Sequence, residues 1–435
     1  MDKREARLDA LNYYTATKKY DLHFPRLTGH VEAEVVVIGG GFTGVNTALD
    51  LAEKGITDVV VLEARNIGYG ASGRNGGQIM VGIGHDLNYV AKHVGEEGMR
   101  LLVEIADAGA KSIRERVRKY DIDADLHRGY GYLGVDGRQA KTLRKMADEF
   151  RQMDPSEDIE FYEGAEVRDI IGSDLYCAAV KHGGGGHVHS LNLLLGEAKA
   201  ASGLGVAIYE NSPVIEIEYG DTITLRTNSG SVRAKKLLWA CDSFLRKLEP
   251  EIHSRTINTY SFQVATAPLS DEMCQRISPF RGAYSDISAV INYYRVTAEN
   301  RLLFGSATRM IEYMPNDFEA WNRSLLAKVF PYLADVKIDF SWGGPMACSA
   351  NLFPQIGTLK DRPNAFYAQG YSGFGVTPSH IVCQVLAEGM SGGSERYEMM
   401  RAIPHASIPG RDRLRPVVMS AAKSFHYLRC LLDGR

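Results

Sequence analysis

The sequence predicts an α/β fold: a parallel, doubly wound domain, discontinuous in sequence, with an inserted antiparallel-sheet domain of α+β character. Three observations carry this. An apolar run ends in a glycine-rich turn, then gives way to a helical pattern and a second apolar run. A second glycine-rich turn, again entered by a strand pattern and left by a helical one, occurs near residue 370. Between the two, several runs alternate in polarity with the period of half-buried strands.

The first element is Glu34-Val35-Val36-Val37-Ile38, which runs into Gly39-Gly40-Gly41-Phe42-Thr43-Gly44. Glycines at 39, 41 and 44 have the Gly-x-Gly-x-x-Gly spacing. Val45 to Lys54 reads as a helix and Asp58 to Leu62 as a strand, and Glu63 follows Gly44 by 19 residues. Glycines there allow a tight turn and close backbone approach to a pyrophosphate at the positive helix end. A carboxylate at Glu63 accepts hydrogen bonds from a ribose. The unit is therefore Rossmann-like and predicts a bound dinucleotide.

The next segment, Ile67 to Gln78, holds five glycines in the eleven positions from Gly68. Small residues, backbone amides and Arg74 suit a second pass over the pyrophosphate and along a flat ring. Such a loop favours a flavin held through turnover over a nicotinamide cofactor.

Here the chain resembles a family. The Gly39 turn, Glu63-Ala64 and Gly70-Ala71-Ser72-Gly73-Arg74-Asn75-Gly76-Gly77-Gln78 look like FAD-dependent amine and amino-acid oxidases of the D-amino acid oxidase class. Within it they are most similar to the gamma-glutamylputrescine oxidase group. Gly186 to Asn192, Tyr293 to Gly305 and Gln369 to Thr377 agree, and the resemblance runs from about Glu34 to the C-terminus. It implies FAD held non-covalently, with Ala240-Cys241-Asp242-Ser243 closing over the cofactor. The combined cofactor-binding set is Gly39, Gly41, Phe42, Thr43, Gly44, Glu63, Ala64, Arg65, Gly70, Ala71, Ser72, Arg74, Asn75, Gly76, Gly77, Gln78, Val214, Cys241, Gly343, Gly370, Gly373, Phe374, Gly375, Val376 and Thr377. Where these oxidases often carry His between the later glycines, this chain has Phe374. Sarcosine oxidases place a Lys near a strand like Leu302-Leu303-Phe304-Gly305; none stands here. Molecular oxygen and a quinone or carrier are both open as electron acceptors.

A chain of 435 residues with 45% hydrophobic and 24% charged residues can bury one large core or two joined ones. A net charge of −3 gives no reason to expect nucleic acid. The charged N-terminus and the lack of a long apolar run predict a cytoplasmic protein without integral membrane contact. Six cysteines without Cys-x-x-Cys spacing are expected to stay reduced.

Along the chain, residues 1–30 form a Tyr-containing arm expected to pack across the flavin domain. The FAD-binding domain takes 31–115, 186–250 and 343–395; the substrate domain takes 116–185 and 251–342. Met99 to Tyr120, Lys141 to Met153 and Ala320 to Phe330 read as helices. Val214 to Ile217, Ile223 to Thr227, Val232 to Trp239, Arg255 to Ala267, Val290 to Val296, Leu302 to Gly305 and Val336 to Trp342 read as strands. The tail, 396–435, is helical, with a basic amphipathic stretch from Leu414 to Leu432 expected to dock on its own protein.

The chemistry implied is oxidation of a C–N bond in a small amine or amino acid by hydride transfer to flavin N5, followed by hydrolysis of the imine. Gamma-glutamylputrescine is the first candidate substrate; a secondary or cyclic amino acid (pipecolate, sarcosine or proline type) or a D-amino acid is the alternative. A flavin-binding subunit without chemistry of its own is the reading from another class. No catalytic dyad is required. The Gly370 to Thr377 turn is the candidate for the N1–C2=O edge of the flavin, at a helix N-terminus. Substrate-binding candidates are Arg295, Tyr260, Tyr284, Tyr293 and Phe374, with Arg295 first as a fork for a carboxylate; Arg74, Arg301 and Arg309 are further arginines. Cys348 is read as a core thiol rather than a flavin attachment point. The histidines of His182 to His189 are read as a loop folding towards the substrate, with no metal.

Overall fold

The computed structural model describes residues 11–85, 87–245, 248–288, 291–307 and 317–407. Arg309 and the predicted tail segment Leu414 to Leu432 lie outside them. The first sheet places strands in the order 355–359, 362–369, 230–239, 29–38, 59–62, 207–209. Strands Gly29–Ile38, Val59–Leu62, Ala207–Tyr209, Gly230–Trp239 and Arg362–Gln369 run parallel. Chain order thus reverses between Gly29–Ile38 and Gly230–Trp239. The carboxyl ends of those two strands open the crevice where such sheets bind ligands. Val35 and Val37 pack into one hydrophobic core and Val36 and Ile38 into another. Both faces of the strand are buried, which is why its sequence is continuously apolar rather than alternating.

Among the described residues the second sheet has nine strands, mostly antiparallel. Thr256–Thr266 pairs with Leu302–Ala307 on one side and Ile338–Ser349 on the other. Ile338–Ser349 stays in this sheet as far as Ser349, so the expected boundary at Gly343 falls inside a strand. Gln78–Ile79 also joins this sheet, beside Ala178–His187. The predicted loop from His182 to His189 is instead, as far as His187, the end of that strand. Its glycines are set by close strand passage: a Cβ on Gly186 would lie 2.1 Å from the His127 carbonyl oxygen. His182 and His187 stand on this strand, while His189 caps the helix Ser190–Gly203 through the Asn192 amide. The far face of the sheet packs Tyr284, Tyr294, Phe304 and Val264 against Phe330 and Leu326.

The predicted helix from Met99 is part of Leu87–Lys119, which is interrupted at Gly95, where φ is 67°. The arm packs its buried Tyr13 and Tyr14 against Trp342 and His189. The Lys19 amide donates to Asn192, and the Leu27 amide to Ser212.

Candidate active site

One cavity of about 1620 Å³ lies between the two sheets, larger than the ~300–1,000 Å³ of an ordinary ligand pocket. It is large enough for a cofactor and a substrate together. Every residue of the expected cofactor set lines it except Gly44, Gly77, Gly343 and Gly370. Those four act one layer behind. A Cβ on Gly44 would sit 1.9 Å from the Gly39 carbonyl oxygen, on Gly77 2.2 Å from that of Val188, and on Gly343 2.4 Å from the Phe262 ring. Gly370 has φ +77°, in the left-handed region that glycine tolerates.

The residues present fit a dinucleotide. Gly41 caps the helix Phe42–Glu53 without any side-chain cap, and Gly375 does the same for Val376–Met390. Both helices therefore turn positive, side-chain-free ends to the cavity. The Glu63 carboxylate accepts from the Gly40 amide (2.7 Å) and the Arg65 amide (2.8 Å). Burial raises its pKa, and those amides pull it back down. Ser72 accepts from the Phe42 amide at 2.9 Å, tying the second loop to the first. Asn75 shapes that loop by donating to the Ala71 and Ser72 carbonyls and accepting from the Gly77 amide. Arg74 donates to the Tyr69 carbonyl at 2.7 Å and lies over the Tyr69 ring.

Strand parity sorts the substrate candidates. Ile257, Thr259, Ser261 and Gln263 face the cavity, so Tyr260 does not. Ser285 and Tyr293 face it, so Tyr284 is turned to the far-face core, where its hydroxyl donates to the Ile170 carbonyl at 2.8 Å. One residue of phase exchanges the two faces of a strand. Phe374 and Tyr293 do line the cavity. Arg295 shares the face of Tyr293 but sits two residues further along, beneath the Gly76–Gly77 loop and away from the cavity lining. It is 2% exposed. Its guanidinium donates to the Gly76 carbonyl (2.8 Å) and the Tyr14 hydroxyl (3.2 Å) and lies 3.5 Å from His187 Nδ1. The fork expected to hold a substrate carboxylate holds the Gly76–Gly77 loop instead. Arg301 is bound by Asp339 and the Thr266 carbonyl.

Arg295→Lys is accordingly expected to weaken FAD retention and lower the melting temperature, while KM at saturating FAD stays within about twofold. Titration of stripped protein with FAD, beside steady-state kinetics, checks this. A raised KM with unchanged FAD affinity would return Arg295 to the substrate.

The structure adds residues that the sequence reading missed. Asp242, with φ 42°, accepts from the Gly370 amide through one oxygen and the Ala347 amide through the other. It pins the Gly370 turn to the second sheet. His85 reaches the Ser372 carbonyl at 3.0 Å. Asp286 borders the cavity at the end of its strand, but its carboxyl, 2% exposed, turns to the face of Tyr284, where it accepts from Asn292 Nδ2 and burial pushes it up to about 6. Cys348 lines the cavity and lies 3.4 Å from the Thr259 hydroxyl. Asp242 and Cys348 were quoted from sequence, Cys348 as a core thiol; His85 and Asp286 carry no local motif.

A helix-flanked parallel sheet with two glycine turns and a second sheet roofing the cleft define a flavin-dependent oxidoreductase. Residues 34–389 match the family described as DAO: FAD dependent oxidoreductase, and the chain belongs to that family. It is 35% identical over 419 residues to gamma-glutamylputrescine oxidoreductase of Escherichia coli (strain K12), covering 96% of this chain and 97% of that protein. It is 33% identical to the probable oxidoreductase OrdL of Haemophilus influenzae, over 92% of each chain. Among solved structures, L-proline dehydrogenase from P. horikoshii superposes with a TM-score of 0.69 at 21% identity, over 84% of this chain and 95% of that one. Glycine oxidase from Geobacillus kaustophilus does so at 0.67 and 18%, over 84% and 96%. The fold is that of the FAD-dependent amino-acid oxidases, and the cofactor is FAD. Among the described residues, no helix is long and apolar enough to cross a membrane.

Proposed function

We propose that the chain oxidises a primary amine of the gamma-glutamylputrescine type, removing two electrons and two protons from H–C–N–H to give an imine. Water then adds to the imine carbon and releases ammonia and an aldehyde. FAD, when bound, supplies the two-electron acceptor. The observation that carries the reading is the composition of the cavity's sheet wall. Gln263, Tyr293, Ser261 and Ser285 offer polar groups and hydroxyls, and no arginine among the described residues of that sheet lines it. Such a wall suits a donor-rich amine better than a carboxylate. The 35% identity across 96% of the chain to a gamma-glutamylputrescine oxidoreductase supports the same substrate class.

In this reading Glu63 holds the adenosine ribose and the Gly39–Gly44 turn holds the pyrophosphate. The uncapped helix end at Gly375 stabilises negative charge at the flavin edge. The roof formed by Thr259, Ser261 and Tyr293 positions the substrate carbon and excludes water. Electrons leave to molecular oxygen or to a quinone or carrier; peroxide formation against quinone reduction tells these apart.

The test is anaerobic mixing of the yellow protein with gamma-glutamylputrescine, pipecolate, sarcosine, proline and a D-amino acid. Bleaching by gamma-glutamylputrescine and not by the amino acids is the expected result; bleaching by an amino acid alone would overturn it. Acid precipitation is expected to release all FAD into the supernatant. Colour retained in the pellet would make the link covalent, with Cys348 as the first residue to replace.

A further inference from the structure

The cavity continues past the expected cofactor set, along the helix Gly137–Met153. That helix packs Leu143 and Ala147 into the core cluster of Tyr130 and Tyr132, on the sheet face that roofs the cavity. Lys145, Met146, Glu149, Phe150 and Met153 line the cavity. At about 3.6 residues per turn, Phe150, Met146 and Met153 follow one another round the helix from the Leu143–Ala147 stripe, and Glu149 and Lys145 come next.

The wall is therefore graded. Its inner strip is apolar: Met146 and Phe150 are partly buried against the Tyr132 cluster, and Met80 and Ile287 of the same cluster also line the cavity. Its outer strip is charged. Lys145 and Glu149 form an ion pair at 3.3 Å, with side chains 79% and 59% exposed, so a ligand entering from solvent can reach both. No other charged side chain of this helix lines the cavity.

This lobe joins the roof above the cofactor turns. Tyr293 pairs with Ser285 and Ser285 with Tyr132, so the three stand in one row on the cavity face. Two strand spacings separate Tyr293 from Tyr132, about 10 Å. The Phe150 ring is centred 5.5 Å from the Tyr132 ring. The charged strip thus lies on the order of 15 Å from Tyr293. Phe374 borders the same lobe, since a Cβ on Gly82 would lie 3.7 Å from its ring.

We propose that this lobe holds the far end of the substrate: an aliphatic chain lies along Met146, Phe150 and Met153, and a zwitterionic head meets the outer pair, its carboxylate at Lys145 and its ammonium at Glu149. The inner strip offers a chain no polar partner, and thioether side chains adapt to its shape. The outer pair is neutral as a whole. A purely cationic or anionic head meets one like charge beside its opposite, whereas a zwitterion laid antiparallel on the pair meets two opposite charges. The spacing sets the length. Two nitrogens about ten bonds apart span ~12 Å when extended, which with a hydrogen bond at each end suits a span of about 15 Å. Gamma-glutamylputrescine, with about ten bonds between its primary amine and its α-ammonium, has this form. The assignment rests on the amine-oxidising reading above and specifies where the end of the substrate that does not react lies.

The experiment is calorimetric titration of the dithionite-reduced, FAD-loaded protein at low ionic strength, under argon so that no turnover occurs. Four amides of putrescine are compared: gamma-glutamyl, glutaryl (carboxylate alone), 4-aminobutanoyl (ammonium alone) and butanoyl (neither charge). Wild type is expected to bind the gamma-glutamyl compound about three- to tenfold more tightly than the butanoyl one. Lys145→Glu should raise the ratio of 4-aminobutanoyl to glutaryl affinity about tenfold over wild type, and Glu149→Lys should lower it by a similar factor. Both residues are exposed, so neither variant threatens the fold. Met146→Gln should weaken all four compounds about threefold or more, because a carboxamide then stands against the chain. Equal binding of the gamma-glutamyl and butanoyl compounds to wild type, or a ratio that either charge variant leaves unmoved, would overturn the head site. An unchanged butanoyl affinity in Met146→Gln would overturn the apolar wall. Discrimination among the four by a protein whose flavin gamma-glutamylputrescine does not bleach would uphold the site and remove the proposed reaction; bleaching without discrimination would do the opposite.

Discussion

Gly44→Val is expected to yield a colourless protein. The Gly44 Cα faces the Gly39 carbonyl so closely that even a first side-chain carbon would lie 1.9 Å from that oxygen and 3.1 Å from Val37 Cγ1. The obstructing oxygen is backbone of the turn itself, so it cannot swing aside as a side-chain tip would. Helix Phe42–Glu53 must move away from the strand Gly29–Ile38, and its N-terminus moves with it, off the position where a pyrophosphate lies. The ratio of 450 nm to 280 nm absorbance after purification reads the effect. Added FAD should no longer raise the melting temperature, because a ligand that does not bind the folded state adds no stability. Gly44→Ala should fail in the same direction but less completely. A Gly44→Val protein that purifies with a full complement of FAD would show that this turn does not carry the cofactor.

Arg116→Met is expected to be among the most destabilising single substitutions in the chain. Arg116 is 5% exposed and Asp50 4%. The guanidinium donates to Asp50 Oδ1 at 2.5 Å and to Asn46 Oδ1 at 2.7 Å, joining the helix Leu87–Lys119 to the helix that starts at the Gly39 turn. Even with Arg116 in place, burial raises the Asp50 carboxyl. Removing the cation leaves that carboxylate buried with no opposite charge, a loss of about 3–5 kcal/mol. The pair is weak evidence of net stabilisation, because an apolar replacement of both partners avoids the same desolvation. Arg116→Met/Asp50→Leu should therefore recover most of what Arg116→Met loses. Urea unfolding followed by release of flavin fluorescence measures both. A loss below about 1 kcal/mol in the single variant would mean that water reaches Asp50 once the guanidinium is gone.

The cofactor half of the site was legible because its requirements are local. A tight turn beside a helix N-terminus needs glycines at fixed offsets, and a ribose needs an acid at the end of the next strand; both fall within Gly39 to Glu63. The second loop, Gly70 to Gln78, was legible for the same reason. The substrate half was read with the right strands and the wrong faces. Tyr293 lines the cavity, but Tyr260 and Tyr284 sit on the opposite face of their strands. Alternation shows that a strand has two faces and does not say which of them meets the other domain.

What the sequence determined by itself is the glycine turn between strand and helix, the acid that ends the next strand, the second glycine-rich loop and the presence of an inserted sheet. Each is set by backbone conformation or periodicity within a few residues. The tertiary structure alone decided that Arg295 lies under the Gly76 carbonyl rather than in the cavity lining, and that Asp242 joins the Gly370 and Ala347 amides. It alone aligned Gln263 with Tyr293 and Ser285, through a pairing of Thr256–Thr266 with Leu302–Ala307, strands that are not neighbours in sequence. Which side chains share a row depends on the register of four separate strand pairings. Packing of the whole sheet fixes that register, and a shift of one residue in any of them would move a different residue into the cavity wall.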